Sequence, residues 1–387
     1  MHQPIITSLL DTDLYKFTMM QCVFHHFPKA TASYRFISRK PINLSSIKHD
    51  FQEQLGYFCS LTLKEEELSY LASLPYFKAD FIDFLHTFRL QTNHIKFSPQ
   101  GFAFDIEGPW LETILFEVPL LAITSEIYYR QKFPLLDYTV GRERLAEKIQ
   151  YLLSHAPTLH FTDFGTRRRC SKIWQEEVIR TLNAKLPQQF NGTSNVFFAK
   201  EQNLRPIGTM AHEYLQAFQV LAPTLKGSQA FALQTWLKEY PDTLGIALTD
   251  SLTMDIFLQE FDKSLALQYK GLRHDSGDPI VWGEKALQHY RSLQIDPHDK
   301  TFVFSDGLTF PKMVKIYNHF KNDVRQTFGI GTNLTNDVGY DPLDIVIKMI
   351  GTNHKPVVKI SDSKGKIVCS DENYLKHVKQ TFNIQDS

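Results

Sequence analysis

From about residue 159 onward, short apolar strands alternate with amphipathic helices, and a polar cluster marks each handover. Leu159-His160-Phe161-Thr162-Asp163 reads as a strand ending in Phe164-Gly165-Thr166 and the triplet Arg167-Arg168-Arg169. A helix follows, with Cys170, Ile173, Trp174, Val178, Ile179 and Leu182 assigned to its apolar stripe. The pattern returns at Pro206-Ile207-Gly208-Thr209-Met210-Ala211-His212-Glu213, at Gly245 to Asp250 and at Thr301 to Gly307. Repeated strand-then-helix units dictate a parallel sheet with crossover helices. In a βα barrel every such handover falls on one face, the face that carries chemistry. A doubly wound open sheet gives a similar pattern, and spacing alone does not separate the two.

Residues up to about 130 lack this alternation. Leu10-Asp11-Thr12-Asp13-Leu14-Tyr15 reads as a helix start, with Asp11, Thr12 or Asp13 as cap and Tyr15 in the first turn. Ala32 to Ile37 and Ile95 to Ile106 have strand composition, the latter turning at Gly101, and Leu63 to Phe88 is helical in period. The most apolar window, Ile114 to Thr124, is broken by Glu117 and Pro119 and is too short to span a bilayer.

Lys and Arg number 42, as do Asp and Glu, so no bulk charge directs the chain to nucleic acid or membrane. Cys22, Cys59, Cys170 and Cys369 are scattered, with neither metal-ligand spacing nor a dense disulfide framework, which fits a reducing cytoplasm. Met1-His2-Gln3-Pro4 does not begin a basic, then apolar, leader.

The densest chemistry lies in Gly271 to Pro279, reading Gly-Leu-Arg-His-Asp-Ser-Gly-Asp-Pro. Arg273 offers a planar fork for phosphate or carboxylate. Asp275 and Asp278 can accept from sugar hydroxyls or hold Mg²⁺ through water. Phe328-Gly329-Ile330-Gly331-Thr332-Asn333 reads as a phosphate cradle whose backbone amides face an anion. The Arg167 to Arg169 triplet sits at an expected helix start, where cations oppose the helix dipole and an anionic ligand would offset them. His212 can serve as base, ligand or phosphoryl acceptor, and no second His stands at zinc spacing.

Together these stretches resemble the nicotinate phosphoribosyltransferase family, of the shorter bacterial kind. The matching segments are Leu9 to Asp13, Asp163 to Arg169, Gly192 to Asn195, Gly208 to Glu213, Leu272 to Pro279, Phe304 to Asp306 and Phe328 to Thr332, continuing to the region around Lys355 to Lys366. The resemblance implies an α/β fold: the irregular barrel of type II phosphoribosyltransferases, at residues 131–349. A mixed α+β domain from residues 1–130, completed by about 350–387, would accompany it. It implies transfer of the phosphoribosyl group of phosphoribosyl pyrophosphate to the ring nitrogen of nicotinate, with Mg²⁺, as the first step of NAD salvage from nicotinate. ATP hydrolysis would be coupled through a phosphohistidine at His212.

By the same resemblance Tyr15 and Phe164 sandwich the pyridine ring and Arg167 stands beside it. Arg273 and Asp275 serve the ribose and phosphates, and Gly329, Gly331 and Thr332 the 5′-phosphate. Thr193, Asp278 and Asp306 lie in matching stretches, Gly307 adjoins one, and all four count with the substrate-binding residues. The Mg²⁺ ligands are not assigned. A head-to-tail homodimer is implied, with Tyr15 reaching the neighbour's site. Relatives that prefer nicotinamide carry an acid where this chain has Ser194. A neutral hydroxyl able to donate, beside Arg167, therefore points to nicotinate. Quinolinate phosphoribosyltransferase shares the architecture but would not require His212, and a non-catalytic relative would be expected to lack His212, Arg273 or Asp275.

Overall fold

The computed structural model describes residues 3–133, 135–363 and 367–384. Met1 and His2 of the opening tetrapeptide, and Lys364 to Lys366 at the end of the matching region, lie outside them. Strands β1 (Thr31–Ser38), β2 (Ile95–Phe97) and β3 (Phe104–Pro109) come first. Next are β4 (Phe161–Asp163), β5 (Phe190–Thr193), β6 (Ile246–Leu248), β7 (Gly271–His274), β8 (Thr301–Phe304) and β9 (Arg325–Ile330). The chain then returns through β10 (Ile345–Thr352) and β11 (Lys355–Pro356).

Strands β4 to β9 form one parallel sheet in the order β5-β4-β9-β8-β7-β6. They are covered on both faces, so they read as apolar runs and not as alternating ones. Phe161, Phe302, Phe304 and Phe328 meet between them, with Phe304 stacked on Phe328 at 5.5 Å between ring centroids. The sheet curls toward closure at its far edge, where Pro206 makes a parallel bridge to Thr193. Side chains span the remaining gap: Arg273 donates to the Thr209 hydroxyl at 2.6 Å, and His212 meets Asp250 at 2.7 Å. The expected irregular α/β barrel is thus the fold.

The second sheet, β11-β10-β1-β3-β2, is antiparallel. In β1 Ala32, Tyr34 and Phe36 point to the core, while Ser33 and Arg35 point away. The apolar window of the sequence becomes a 3₁₀ turn, Ile114–Phe116, and the start of the helix Glu117–Lys132, which is buried nearly all round as an interior helix of a large domain is. No helix among the described residues is long and apolar enough to cross a membrane.

Three local expectations fail. Asp13 precedes the helix Leu14–His26 but caps nothing with its side chain. Asp11 instead takes both amino groups of fully buried Arg169, at 2.7 and 2.9 Å, and tethers the N-terminal segment to the barrel. The arginine triplet does not open a helix: Thr166–Arg168 is a single 3₁₀ turn, and the helix begins at Lys172, capped by Ser171. Ile173 is 65% exposed, because it lies a quarter turn away from the buried stripe through Trp174, Val178 and Leu182.

Candidate active site

A cavity of about 660 Å³ opens at the carboxyl ends of the barrel strands, between the barrel and β10. Phe164 follows β4, Ser194 follows β5, Asp275 follows β7, Ser305 follows β8 and Gly331 follows β9, and all five line it. His212 starts the helix His212–Leu221 and also faces it.

One end of the cavity holds Tyr15, Phe164, Arg167, Ser194 and Asp13. Phe164 is fixed by its backbone N–H donating to Ile330 at 2.8 Å. A methyl on Gly329 would sit 2.2 Å from the Phe164 ring. That glycine makes room for the aromatic. Tyr15 and Phe164 of this one chain line the same cavity. The Ser194 hydroxyl donates to Asp13 at 2.8 Å, so its one hydrogen is already engaged. Beneath this end lies a charge cluster whose two carboxylates border the cavity. Lys16, fully buried, bridges Glu117 at 2.6 Å and Glu213, and Tyr34 and Trp110 donate to Glu213 at 3.0 and 3.2 Å. Burial pushes the Glu117 carboxyl up, but Lys16 and Arg167 outweigh it and hold it below the usual range.

The other end is organised around Arg273. Its guanidinium donates to Ser305 at 2.7 Å, Thr209 at 2.6 Å and Asp275 at 3.1 Å, and lies over the Phe164 ring at 5.8 Å. Every arm is held, so the fork is preorganised and loses little freedom on meeting an anion. Asp275 is pushed up by burial but is held well below the carboxylate range by Arg273 and His212.

His212 Nε2 lies 2.7 Å from Asp250 and 2.8 Å from the Lys359 ammonium, which also donates to Asp250 at 2.9 Å. Nε2 cannot both donate to the carboxylate and accept from the lysine. Asp250 is buried and ionised, its carboxyl raised by burial but driven far lower by His212 and Lys359. A lone pair facing that oxygen at 2.7 Å would be repulsive, so Nε2 carries the proton and donates to Asp250. Burial lowers the affinity of the imidazole for a second proton, against the pull of Asp250 and with the help of Lys359. His212 is therefore neutral, with an unshared pair on Nδ1 on the Asp275 side, 3.7 Å from its carboxylate. His212, Asp250 and Asp275 also bring possible metal-ligand atoms within 4.8 Å of one another.

Of the residues expected from the sequence, Tyr15, Phe164, Arg167, Ser194, His212, Arg273, Asp275, Gly307, Gly329, Gly331 and Thr332 are brought together. Three do not line the cavity. Thr193 is buried and donates to Asp163 at 2.8 Å. Asp278 is exposed and caps the helix Pro279–Ser292 through Ile280 and Val281. Asp306 offers only its carbonyl to Lys312, at 3.1 Å. The triplet divides: Arg167 and Arg168 face the cavity, and Arg169 does not. Sequence reasoning missed Asp250, Lys359, Glu117 and Lys348. Lys348, on β10, is pushed down to about 7 by burial, with Lys359 and Arg167 adding to the effect. Asp250 follows just after β6, and the strand-end rule could have found it. The two lysines come from segments outside the barrel, with no local signal.

A family model described as the nicotinate phosphoribosyltransferase (NAPRTase) family matches residues 159–386, and that of its N-terminal domain matches residues 10–125. Nicotinate phosphoribosyltransferase of Burkholderia ambifaria (strain MC40-6) is 51% identical over 389 residues, covering 98% of this chain and 97% of the relative. The crystal structure of nicotinate phosphoribosyltransferase from Vibrio cholerae superposes with a TM-score of 0.95 at 37% identity, covering 100% of this chain and 95% of that one. That from Porphyromonas gingivalis gives 0.93 at 32% identity, over 98% and 100% of the two chains.

Proposed function

The chain belongs to the nicotinate phosphoribosyltransferase family and is an enzyme of that kind, and from this premise we propose that it couples phosphoribosyl transfer to ATP through phosphorylation of His212. The observation that carries this reading is the neutral His212 with Nε2–H held by Asp250 and Nδ1 unshared. Nδ1 attacks the γ-phosphorus of ATP, an N–P bond forms, and the bond to the departing ADP oxygen breaks. Water later cleaves the N–P bond and releases phosphate. In the transfer itself the pyridine nitrogen of nicotinate bonds to the anomeric carbon of phosphoribosyl pyrophosphate as the bond to pyrophosphate breaks. Positive charge builds on the sugar and negative charge on the leaving group. Asp275 favours the first, and Arg273 and Lys348 the second. Tyr15 and Phe164 hold the ring, and Arg167 balances its carboxylate.

Carboxylate oxygens suit Mg²⁺, and Asp275 keeps one oxygen that accepts no bond from Arg273 or Ser305. Asp250 is already engaged by the Lys359 ammonium, so Asp275 is the residue that would hold the ion with the substrate phosphates. When bound, the ion neutralises charge on departing pyrophosphate. The product feeds NAD salvage from nicotinate. A homodimer and the cytoplasm complete the proposal, as does a division between barrel and mixed domain. β10, at Ile345–Thr352, lies across the boundary proposed at about 350.

The deciding assay measures mononucleotide formation from phosphoribosyl pyrophosphate and Mg²⁺ with nicotinate or nicotinamide, each with and without ATP. Product from nicotinate, raised by ATP with matching ADP release, is expected. Product from nicotinamide alone would overturn the reading. Ser194→Asp should lower kcat/KM for nicotinate by at least roughly tenfold, through like-charge contact with its carboxylate. Gly329→Ala should displace the Phe164 ring at a cost of about 1–3 kcal/mol. Its effect would appear as a raised KM for nicotinate, and an unchanged KM would show that the ring is not a platform.

A further inference from the structure

Ser194 has one hydroxyl hydrogen, and Asp13 already takes it. Its Oγ donates to Asp13 at 2.8 Å. The two side chains are 3% and 5% exposed, and both line the cavity. Their backbones are pinned. Leu14 N–H donates to the Ser194 carbonyl at 2.8 Å, Ser194 N–H to the Asp163 carbonyl at 2.8 Å, and Val196 N–H to the Thr12 carbonyl at 2.9 Å. Neither backbone can shift without breaking the seam between the N-terminal segment and β5.

While Asp13 is ionised, Ser194 can show a ligand only lone pairs. That face complements an amide N–H and not a carboxylate. If Asp13 carries a proton, the bond can reverse: the Asp13 O–H donates to Ser194, and the serine hydrogen turns to the ligand. We propose that Asp13 is a specificity-determining residue that sets the direction of the Ser194 hydroxyl, and that binding of nicotinate is coupled to uptake of one proton on Asp13.

The surroundings of Asp13 favour such a step. Arg167 faces it from the 3₁₀ turn and opposes protonation, Asp163 faces it from β4 and favours it, and the Thr166 hydroxyl and Tyr15 on its own helix complete the set. Burial is the largest influence, and the carboxyl is pushed up to about 6. A bound carboxylate adds a second negative charge close by and draws on the same Arg167, which moves the carboxyl higher still. By linkage, the proton is taken up on binding at any pH between the free and bound values. Over that range affinity for nicotinate falls by up to about tenfold per pH unit as pH rises. Nicotinamide, being neutral, carries no such penalty and no proton.

This inference rests on nicotinate being the ring substrate, and the test separates the two. Nicotinate is titrated calorimetrically into the intact protein at pH 7.5, in two buffers of different ionisation heat, and kcat/KM for nicotinate is followed from pH 6 to 8.5. The wild type is expected to take up protons on binding and to lose kcat/KM with rising pH. Asp13→Asn should take up none and show a flatter profile, as should Asp13→Ala, which keeps the backbone bridge to Asn195 should the first variant fold poorly. Saturable nicotinate binding without proton uptake, or with equal uptake in the neutral variants, overturns the role of Asp13 and leaves the substrate intact. Absence of both nicotinate binding and product overturns the substrate, and the inference with it.

Discussion

Asp250→Asn should remove the ATP-dependent component of mononucleotide formation, with a fall of roughly 10²–10⁴-fold in the ATP-coupled rate. The substitution changes one atom and little shape. Its consequence follows from the 2.7 Å contact with His212 Nε2. A carboxylate there accepts a hydrogen bond, so Nε2 keeps its hydrogen and Nδ1 keeps its pair. An amide turned toward Lys359 by its oxygen presents its NH₂ to Nε2 and makes that nitrogen the acceptor. The hydrogen then moves to Nδ1, the atom that must attack phosphorus. The variant should fold, still bind nicotinate and retain an ATP-independent rate. It should also fail to form an acid-labile, base-stable phosphoprotein with radiolabelled ATP. Labelling and stimulation equal to wild type would remove His212 from the reaction or Asp250 from its support.

Lys16→Met should cost about 3–5 kcal/mol of stability, the penalty for stripping one partner from a buried charge cluster. Lys16 is fully buried between Glu117 and Glu213. Without the ammonium the two carboxylates face each other in a largely buried place, and at least one takes a proton that it would not hold when unfolded. Their folded values then exceed their unfolded ones. The contribution is intact below the ordinary glutamate pKa of about 4.3 and is lost as pH rises through the raised values. The deficit should therefore be small near pH 4–5 and largest near pH 8. Urea midpoints at matched slope across that range measure it, and a deficit independent of pH would mean that the loss is one of packing and not of charge.

The parts of the fold and site that could be read from the sequence share a cause. Parallel strands covered on both faces must be apolar, so a polar cluster at the end of an apolar run marks the strand's exit into the cavity. Phe164, Ser194, His212, Asp275 and Gly331 were found that way. The same rule misassigned Asp278, because Asp-Pro is also how a helix is capped and begun. It misassigned Thr193 because neighbouring side chains on a strand point to opposite faces: Thr193 turns inward to Asp163 while Ser194 turns to the cavity. Partners far apart in sequence left no trace at all. Asp11 finds Arg169 across 158 positions, and Lys359 finds His212 across 147. Asp13 looked like a cap, since an acid before a helix usually is one. Its actual partner is set by a bridge to Asn195 that only the fold creates.

The central strand of the antiparallel sheet has a consequence for synthesis. β1 is paired on one edge by β3 and on the other by β10. About 300 residues separate Ser38 from Ile345. At a translation rate of about 5–20 residues per second, that edge of β1 waits on the order of 15–60 s for its partner to leave the ribosome. Tyr34 and Phe36 belong to that waiting strand, so the nascent chain carries an apolar, half-paired ribbon through most of its own production. Speed of elongation over the last third of the message, or a chaperone that covers β1, should therefore govern how much of the protein reaches its native state.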